Sequence, residues 1–405
     1  MNPLIIQSIF GIVSILISEV IRDFYHIAGH YWQPIKQFHL LHHKAYRKDF
    51  SIANMEMYQK SQLLNDVPEA LCMVSLTAAI ALLSQNPGMW LGCVYSCAFL
   101  IPAALRSQGM LLATDLSHKP GALLDMPAQW RVNRSYHWRH HFDETDAYFA
   151  GHFTSVDRLL GTSLSLKGKV VAVTGAAGTL GQALIDELSQ QGAKIIAITT
   201  KPDVEFNPDV KVISWQLGAE SELLAQLRSV DILIINHGIN VYTDRSASAI
   251  ELSYEVNTFS ALRLAELFFS TVTGANDRAT KELWINTSEA EVNPALSPLY
   301  ELSKRALGDL ITLRRLDAPC IIRKLVLGPF KSQLNPVGIM SARWIAWAIV
   351  ALAKRDVRNI IVTINPLTYL IFPVKEFCQS IYFRVFSKGA KVVVDVPNQE
   401  ATPKD

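Results

Sequence analysis

Charge is scarce in this chain. Asp, Glu, Lys and Arg make up 18% of its 405 residues and nearly cancel, leaving a net charge of +2. A sequence-wide basic surface for nucleic acid is therefore excluded. Hydrophobic residues supply 50% of the chain and mean hydropathy is +0.18, too apolar for disorder and high for a soluble enzyme. Cysteine is sparse as well: there are five, none in a CxxC pair, and Cys72, Cys93 and Cys97 lie in apolar runs. Neither a zinc ribbon nor a disulfide scaffold fits that spacing. Histidine is almost missing from the second half. Ten of the eleven lie at or before residue 152, and only His237 follows. The length suits two or three domains, and the histidine distribution says that their chemistries differ.

Residues 4–21 carry one charge, Glu19, and suit a bilayer span. A signal peptide is the rival reading, but no Lys or Arg precedes the run and no small-residue cleavage site follows. Residues 70–84 and 88–105 are two further uncharged runs, separated by Gln85, Asn86 and Pro87, which reads as a tight helical hairpin. A buried soluble hairpin is the alternative. Lys and Arg cluster between the first run and the hairpin (Arg22, Lys36, Lys44, Arg47, Lys48, Lys60) and again after it (Arg106, Lys119, Arg131, Arg134, Arg139). The positive-inside rule then predicts an outside N-terminus, with the histidines and the C-terminal half on the cytoplasmic side.

The histidines fall in four groups: His26-x-x-x-His30, His39-x-x-His42-His43, His118, and His137-x-x-His140-His141. Residues four apart share a helix face, so His26 and His30 can reach one metal. In HxxHH the last histidine diverges by about a third of a turn, so one short helix can feed two adjacent metals. Imidazole suits iron and zinc, and its second nitrogen needs a holder. Asp23, Asp49, Asn133 and Asp143 are close in sequence and are the expected holders. Histidines gathered by chance near a membrane surface would explain one box, but hardly two.

This order of boxes around a membrane hairpin resembles the fatty acid hydroxylase and sterol desaturase superfamily, over residues 1–162. The closing segment, with Asp157, Arg158, Gly161 and Thr162, is also similar, although Val156 stands where an aromatic is usual. Two features depart from the pattern: Thr114 stands where a further histidine is usual, unless Asp115 substitutes, and one span rather than two precedes the first box. The resemblance implies a diiron centre (zinc being conceivable in the isolated protein) that uses O2 to oxidise a C–H bond of a lipid-like substrate entering from the bilayer. An external electron donor such as ferredoxin is implied too.

After Leu166–Lys169, a polar break that reads as a linker, the pattern changes. Val170–Val173 reads as a buried parallel strand. It runs into Thr174-Gly175-Ala176-Ala177-Gly178-Thr179-Leu180-Gly181, a helix to about Gln191 with Gly192 as its stop, and a second strand, Ala193–Thr199. That is a βαβ unit whose glycines would let the backbone approach a pyrophosphate at a helix N-terminus. Further strands are expected at Asp231–Ile235, ending in Asn236-His237-Gly238, at Trp284–Ser288, and at Ile321–Leu327. Asn257 lies in a helical stretch, and Tyr300-x-x-x-Lys304 follows Ser288 by twelve residues.

These features resemble the short-chain dehydrogenase/reductase family over residues 168–365. The resemblance implies Tyr300 as general acid, Lys304 lowering its pKa and binding ribose, Ser288 polarising a carbonyl, and Asn257 holding a proton-relay water. A phenol with pKa ~10 needs such help at neutral pH. Gly175, Gly178, Gly181, Asn236 and Gly238 would line the cofactor. Thr200 and Lys201 end the second strand where an NAD enzyme places an acid, so NADP(H) is expected over NAD(H). Residues 367–386 mix aromatic and apolar side chains with Lys375 and Arg384, and read either as an interfacial membrane helix or as a cover for the core. Disorder is expected for residues 398–405.

The fold class expected is thus multi-domain: an all-α membrane histidine-box domain (1–165), an α/β Rossmann domain with a doubly wound parallel sheet (168–365), and an amphipathic tail (366–405). The function expected is a lipid-modifying oxidoreductase with two sites. A membrane-anchored carbonyl reductase with a degenerate metal site, and a non-catalytic partner in a lipid-synthesis complex, are the alternatives.

Overall fold

The computed structural model describes residues 2–201 and 203–389. The tail expected to be disordered lies outside them. Three helices, Pro3–Tyr31, Met55–Ser84 and Pro87–Ser107, are long and apolar enough to cross a bilayer. Only 22% of each apolar window is buried, so most of this hydrophobic surface faces outward. The first helix runs ten residues past the expected span and carries His26 and His30 on its last turns. It packs on the third through small residues: Gly92 N–H donates to Ser14 Oγ at 2.8 Å, and Ser18 and Ser96 share a 2.7 Å bond. A Cβ at Gly92 would stand 2.6 Å from the Ser14 carbonyl oxygen, which is why the residue must be glycine. Glu19, the one charge in the first run, is buried and accepts a 2.5 Å bond from Tyr95.

The second half is a seven-stranded, all-parallel sheet in the order β3-β2-β1-β4-β5-β6-β7. Its strands are β1 Val170–Thr174, β2 Lys194–Thr199, β3 Lys211–Ser214, β4 Ile232–Ile235, β5 Glu282–Asn286, β6 Ile321–Leu327 and β7 Asn359–Val362. Strands buried on both faces read as unbroken apolar runs, and two separate cores cover the faces. Helices Thr179–Gln190 and Ala342–Ala353 close one, and Ala261–Phe269 with Pro298–Arg314 close the other. The order reverses between β1 and β4, so the crevice for a ligand lies at their carboxyl ends. Ser288 lies two residues past the end of β5 rather than on the strand.

The halves are joined by a packed seam. Leu166 and Lys169 are buried, and Lys169 Nζ sits 2.5 Å from Asp143, so the expected linker is a docked joint. The central contact is Arg139, which lies inside the second HxxHH box. Its Nε donates to the Ala279 carbonyl at 2.5 Å and its Nη2 to Glu282 at 3.3 Å. Glu282 also accepts two bonds from Arg323, at 2.8 and 3.0 Å, and one from Trp284. Burial would raise the Glu282 carboxyl, but Arg323 and Arg139 hold it at about 2. Removing Arg139 leaves Glu282 held by Arg323 but takes away a buried hydrogen bond to a charged group, worth about 1.5–3 kcal/mol, and leaves the Ala279 carbonyl without its donor. Arg139→Ala is therefore expected to lower the unfolding midpoint of the detergent-solubilised protein sharply, while the Arg139→Met/Glu282→Gln double variant loses less than the two single losses added.

Candidate functional site

Nine histidines converge as two sets. His26, His30, His39, His43 and His140 form one; His42, His118, His137 and His141 form the other, and within each set the ligand atoms lie within 4.8 Å of one another. Neighbouring Nε2 atoms are close: 2.8 Å for His26–His140, 2.8 Å for His30–His39, and 2.9 Å for His118–His137. Metal–imidazole bonds of ~2.1 Å place adjacent ligands of an octahedral ion ~3.0 Å apart, so both sets fit a metal ion. Each HxxHH box does feed both sets, but not as the spacing argument held. His39 and His43 share a set, as do His137 and His141; the middle histidine, His42 or His140, is the one that diverges.

The expected holders are employed elsewhere. Asp23 accepts from Gly151 N–H, Asp49 from Ser51, Asn133 caps the box helix Arg134–Phe142 through Tyr136 N–H, and Asp143 pairs with Lys169. The Nδ1 atoms face Asn65 Oδ1 (His39, 3.1 Å), Asp66 (His42, 3.3 Å), Asp115 (His118, 2.8 Å) and the Ala147 carbonyl (His140, 2.7 Å). Asp115 is thus a holder and not a substitute ligand, and Thr114 bonds the His118 carbonyl at 3.0 Å without leaving either set short. Asn65 and Asp66 come from a π-helical turn, Gln62–Asp66, a geometry frequent at functional sites. Asp157 ties the closing segment to the box helix by accepting from Tyr136 Oη at 2.8 Å and from Phe149 and Ala150 N–H. Burial, with neighbouring imidazoles, holds His137 and His141 well below the ordinary range, and burial and His30 do the same to His140. Neutral imidazoles are what a metal requires. His42 runs the other way: against burial, Asp66 raises it.

At the sheet's carboxyl end the βα turn forms a tight cradle. Gly175 has φ +63° and a Cβ there would lie 2.9 Å from the His237 backbone; at Gly181 a Cβ would lie 2.3 Å from the Gly175 carbonyl oxygen. Gly178 caps helix Thr179–Gln190 and donates to the Gly175 carbonyl at 3.0 Å. This cradle fits a dinucleotide phosphate. Thr200 and Lys201 are exposed just past β2. Asn236 accepts from Asn286 at 3.2 Å. His237, singled out by its place in the motif, bonds Thr174 Oγ1 through Nδ1 at 2.9 Å.

Asn257 and Lys304 converge beneath Gly238, where a Cβ would meet Asn257 Oδ1 at 3.0 Å and Lys304 Nζ at 3.6 Å. Asn257 donates to the Ile239 carbonyl and to Ser303, and Lys304 donates to the Asn286 carbonyl at 2.9 Å. Ser288 has φ +94°, a strained value for a residue with a side chain, and such strain gathers at functional sites. Burial pushes the Tyr300 phenol up, offset in part by a bond with Ser288. Sequence reasoning missed Glu289. Its buried carboxylate accepts from Thr363, Asn365, Thr368 and Asn293, so it fixes the β7 loop beside Ser288.

Fold and site together define an NAD(P)-dependent oxidoreductase of the short-chain dehydrogenase and epimerase class. Residues 171–298 match the NAD dependent epimerase/dehydratase family. The chain is 54% identical to monoglucosyldiacylglycerol epimerase of Synechocystis sp. over 397 residues, which cover 93% of this chain and 97% of that one. It belongs to the family of that epimerase. Human L-xylulose reductase is 25% identical over 187 residues, 43% of this chain and 72% of that protein. Among solved structures, a short chain dehydrogenase from Burkholderia cenocepacia in complex with NADP is 18% identical with a TM-score of 0.45, covering 56% of this chain and all of that one.

Two measurements check the geometry. The purified chain is expected to carry about two metal ions. His140→Ala/His141→Ala, which takes one donor from each set, is expected to reduce both, and Asp66→Ala to weaken metal binding by about 10–100-fold. Burial lowers the Lys304 ammonium from its ordinary 10.5 to about 8. Its charge is present below that value and lost above it. NADPH affinity, read by fluorescence titration, is therefore expected to fall as pH rises from about 7 to about 9, and to lose this dependence in Lys304→Arg.

Proposed function

We propose that this chain is a membrane-bound, NADP-dependent epimerase that inverts one hydroxyl-bearing carbon of the sugar of a glucosyl diacylglycerol. The observation that carries this reading is identity of 54% along almost the whole of monoglucosyldiacylglycerol epimerase. It narrows the carbonyl–alcohol interconversion expected from Tyr300, Lys304 and Ser288 to one that runs both ways in a single site.

When bound, NADP(H) would supply reversible hydride chemistry at the sugar carbon. Tyr300 takes the hydroxyl proton on the way to the ketone and gives it back to the inverted oxygen. Lys304, charged below about pH 8, stabilises the phenolate and meets the cofactor ribose. Ser288 holds the oxygen on which charge changes, and Asn257 holds the water that passes protons outward. Gly175, Gly178 and Gly181 receive the pyrophosphate, with Asn236 and Gly238 along the adjoining ribose. Thr200 and Lys201, with no acid beside them, favour the 2′-phosphate of NADP(H) over NAD(H).

A second reading concerns residues 1–165. Two converging sets of histidines, four of the nine with Nδ1 facing a carbonyl or carboxylate oxygen, favour a dinuclear iron centre. Iron there would supply O2-dependent oxidation of a lipid C–H bond, with electrons from an external donor such as ferredoxin. In this reading the sheet domain spans 168–365, the tail 366–405, and the three apolar helices cross the bilayer with the N-terminus outside.

Liposomes carrying the protein, NADP+ and monoglucosyldiacylglycerol are expected to yield an isomer of equal mass. Tyr300→Phe should lower turnover by about 10²-fold or more while NADPH binding persists. Deuterium placed on the inverted carbon should remain in the product; its loss to water would sink the hydride route. The iron reading predicts that reduced ferredoxin and O2 add an oxygen atom to the lipid or remove two hydrogens. His140→Ala/His141→Ala should abolish that change and spare epimerisation.

A further inference from the structure

Helix Pro366–Phe386 covers the core with one stripe and leaves the other exposed. It buries Thr368, Phe372 and Glu376, one stripe four residues apart, against the sheet domain. On the opposite stripe Leu370, Val374 and Phe377 are 69%, 63% and 67% exposed. None of the exposed residues from Leu367 to Tyr382 is charged: Lys375 is turned in onto Glu291 and Asp309, and Glu376 onto Lys324. A water-facing helix surface is expected to be polar; a broad uncharged apolar stripe marks an interaction surface.

The surface continues beyond the helix. Trp344 and Trp347, both exposed, line with Tyr369 and Ile361 a groove of about 320 Å³ along edge strand β7. At the far end of this edge the Arg355 guanidinium approaches Gly161, beside exposed Leu159 and Leu160 of the histidine-bearing half. At the near end it reaches the site, where Thr363, Asn365 and Thr368 hold Glu289 next to Ser288. Exposed cations accompany it: Arg355 lines the groove, Arg343 and Arg384 sit on the two helices that carry the strip, and Lys388 follows the second.

We propose that this strip is a membrane-docking surface that lays the β7 edge of the sheet domain on an anionic bilayer. The sugar headgroup then reaches Tyr300 while the acyl chains stay in lipid; this last part rests on the epimerase reading, the docking itself does not. Three observations select a bilayer as the occupant. Exposed Trp and Tyr beside aliphatic residues match the headgroup level of a membrane. The cations that accompany the strip match anionic lipid. At a two-fold contact with a second copy, the same cations would meet their own kind and repel. The three apolar helices of the same chain keep a bilayer permanently at hand, so docking is an intramolecular event.

Cys378 is exposed on this stripe and can carry the probe. The full chain, with Cys72, Cys93 and Cys97 replaced by Ala, is spin-labelled at Cys378 and reconstituted into phosphatidylcholine/phosphatidylglycerol vesicles. The label is expected to collide with O2 in preference to a water-soluble nickel complex. A label at Ser229→Cys, exposed near the start of β4, should show the reverse. Equal behaviour of the two labels would overturn the docking. So would dipolar broadening between Cys378 labels that persists in detergent, which would assign the strip to a second copy. Val374→Glu/Phe377→Glu is expected to raise KM for bilayer-embedded glucosyl lipid about tenfold or more. NADPH affinity and turnover of a detergent-dispersed short-chain glucosyl lipid should not change. An unaltered KM would overturn the presentation of substrate from the bilayer. Absence of any epimerisation in the unsubstituted protein would instead defeat the epimerase reading, and the label measurement would still decide the docking.

Discussion

The fold turns on one buried guanidinium. Arg139 sits between His137 and His140, so the helix that offers histidines to both sets also carries the charge that fastens it to the sheet. A buried cation is tolerable only when paired and hydrogen-bonded. Here the partner is Glu282, at the start of β5. That strand leads on to Ser288 and the reductase site, so a single element connects the floor of one site to the wall of the other. The seam lies at the amino end of the sheet and the cofactor crevice at its carboxyl end. The histidine cluster and the cofactor crevice are therefore linked through one strand but kept apart by the height of the sheet.

The histidine half was legible in part, for clear physical reasons. Spacing singled out eight of the nine converging histidines, because three- and four-residue intervals fall on neighbouring parts of one helix face, whereas His118 stands alone in sequence. Their holders could not be read that way. Asn65 and Asp66 reach the histidines from a π-helical turn, which inserts a residue and shifts the register that 3.6-residue periodicity assumes. Asp23, Asp49, Asn133 and Asp143 were attractive only because they are near in sequence. Asp49 and Asn133 satisfy local backbone groups, Asp23 accepts from the distant Gly151 N–H, and Asp143 pairs with a seam lysine. Thr114 looked like a lost ligand, yet His42 from the first box completes the second set, a contact that no local pattern announces.

In the sheet half, the five central strands were evident as apolar runs because both of their faces are covered. The edges were not: β3 is largely exposed, and β7 is only four residues long. Both edges lie beside expected site residues, since β3 pairs with β2, which Thr200 and Lys201 follow, and β7 leads into the loop held by Glu289. That carboxylate was unreadable because three of its four partners lie more than seventy residues away. The glycine cradle, by contrast, was fully visible, since close backbone approach leaves no substitute for glycine at positions 175 and 181.

The seam also limits what can be exchanged. Cutting the chain after residue 165 would bare Glu282 and Arg323 at the foot of the sheet and leave the Ala279 carbonyl without its donor. The sheet domain is thus not a portable module. A chimaera that swaps in another reductase must bring an acidic residue at the first position of β5, or replace Arg139 as well. Exchange of either half is constrained here by one codon on each side of the joint.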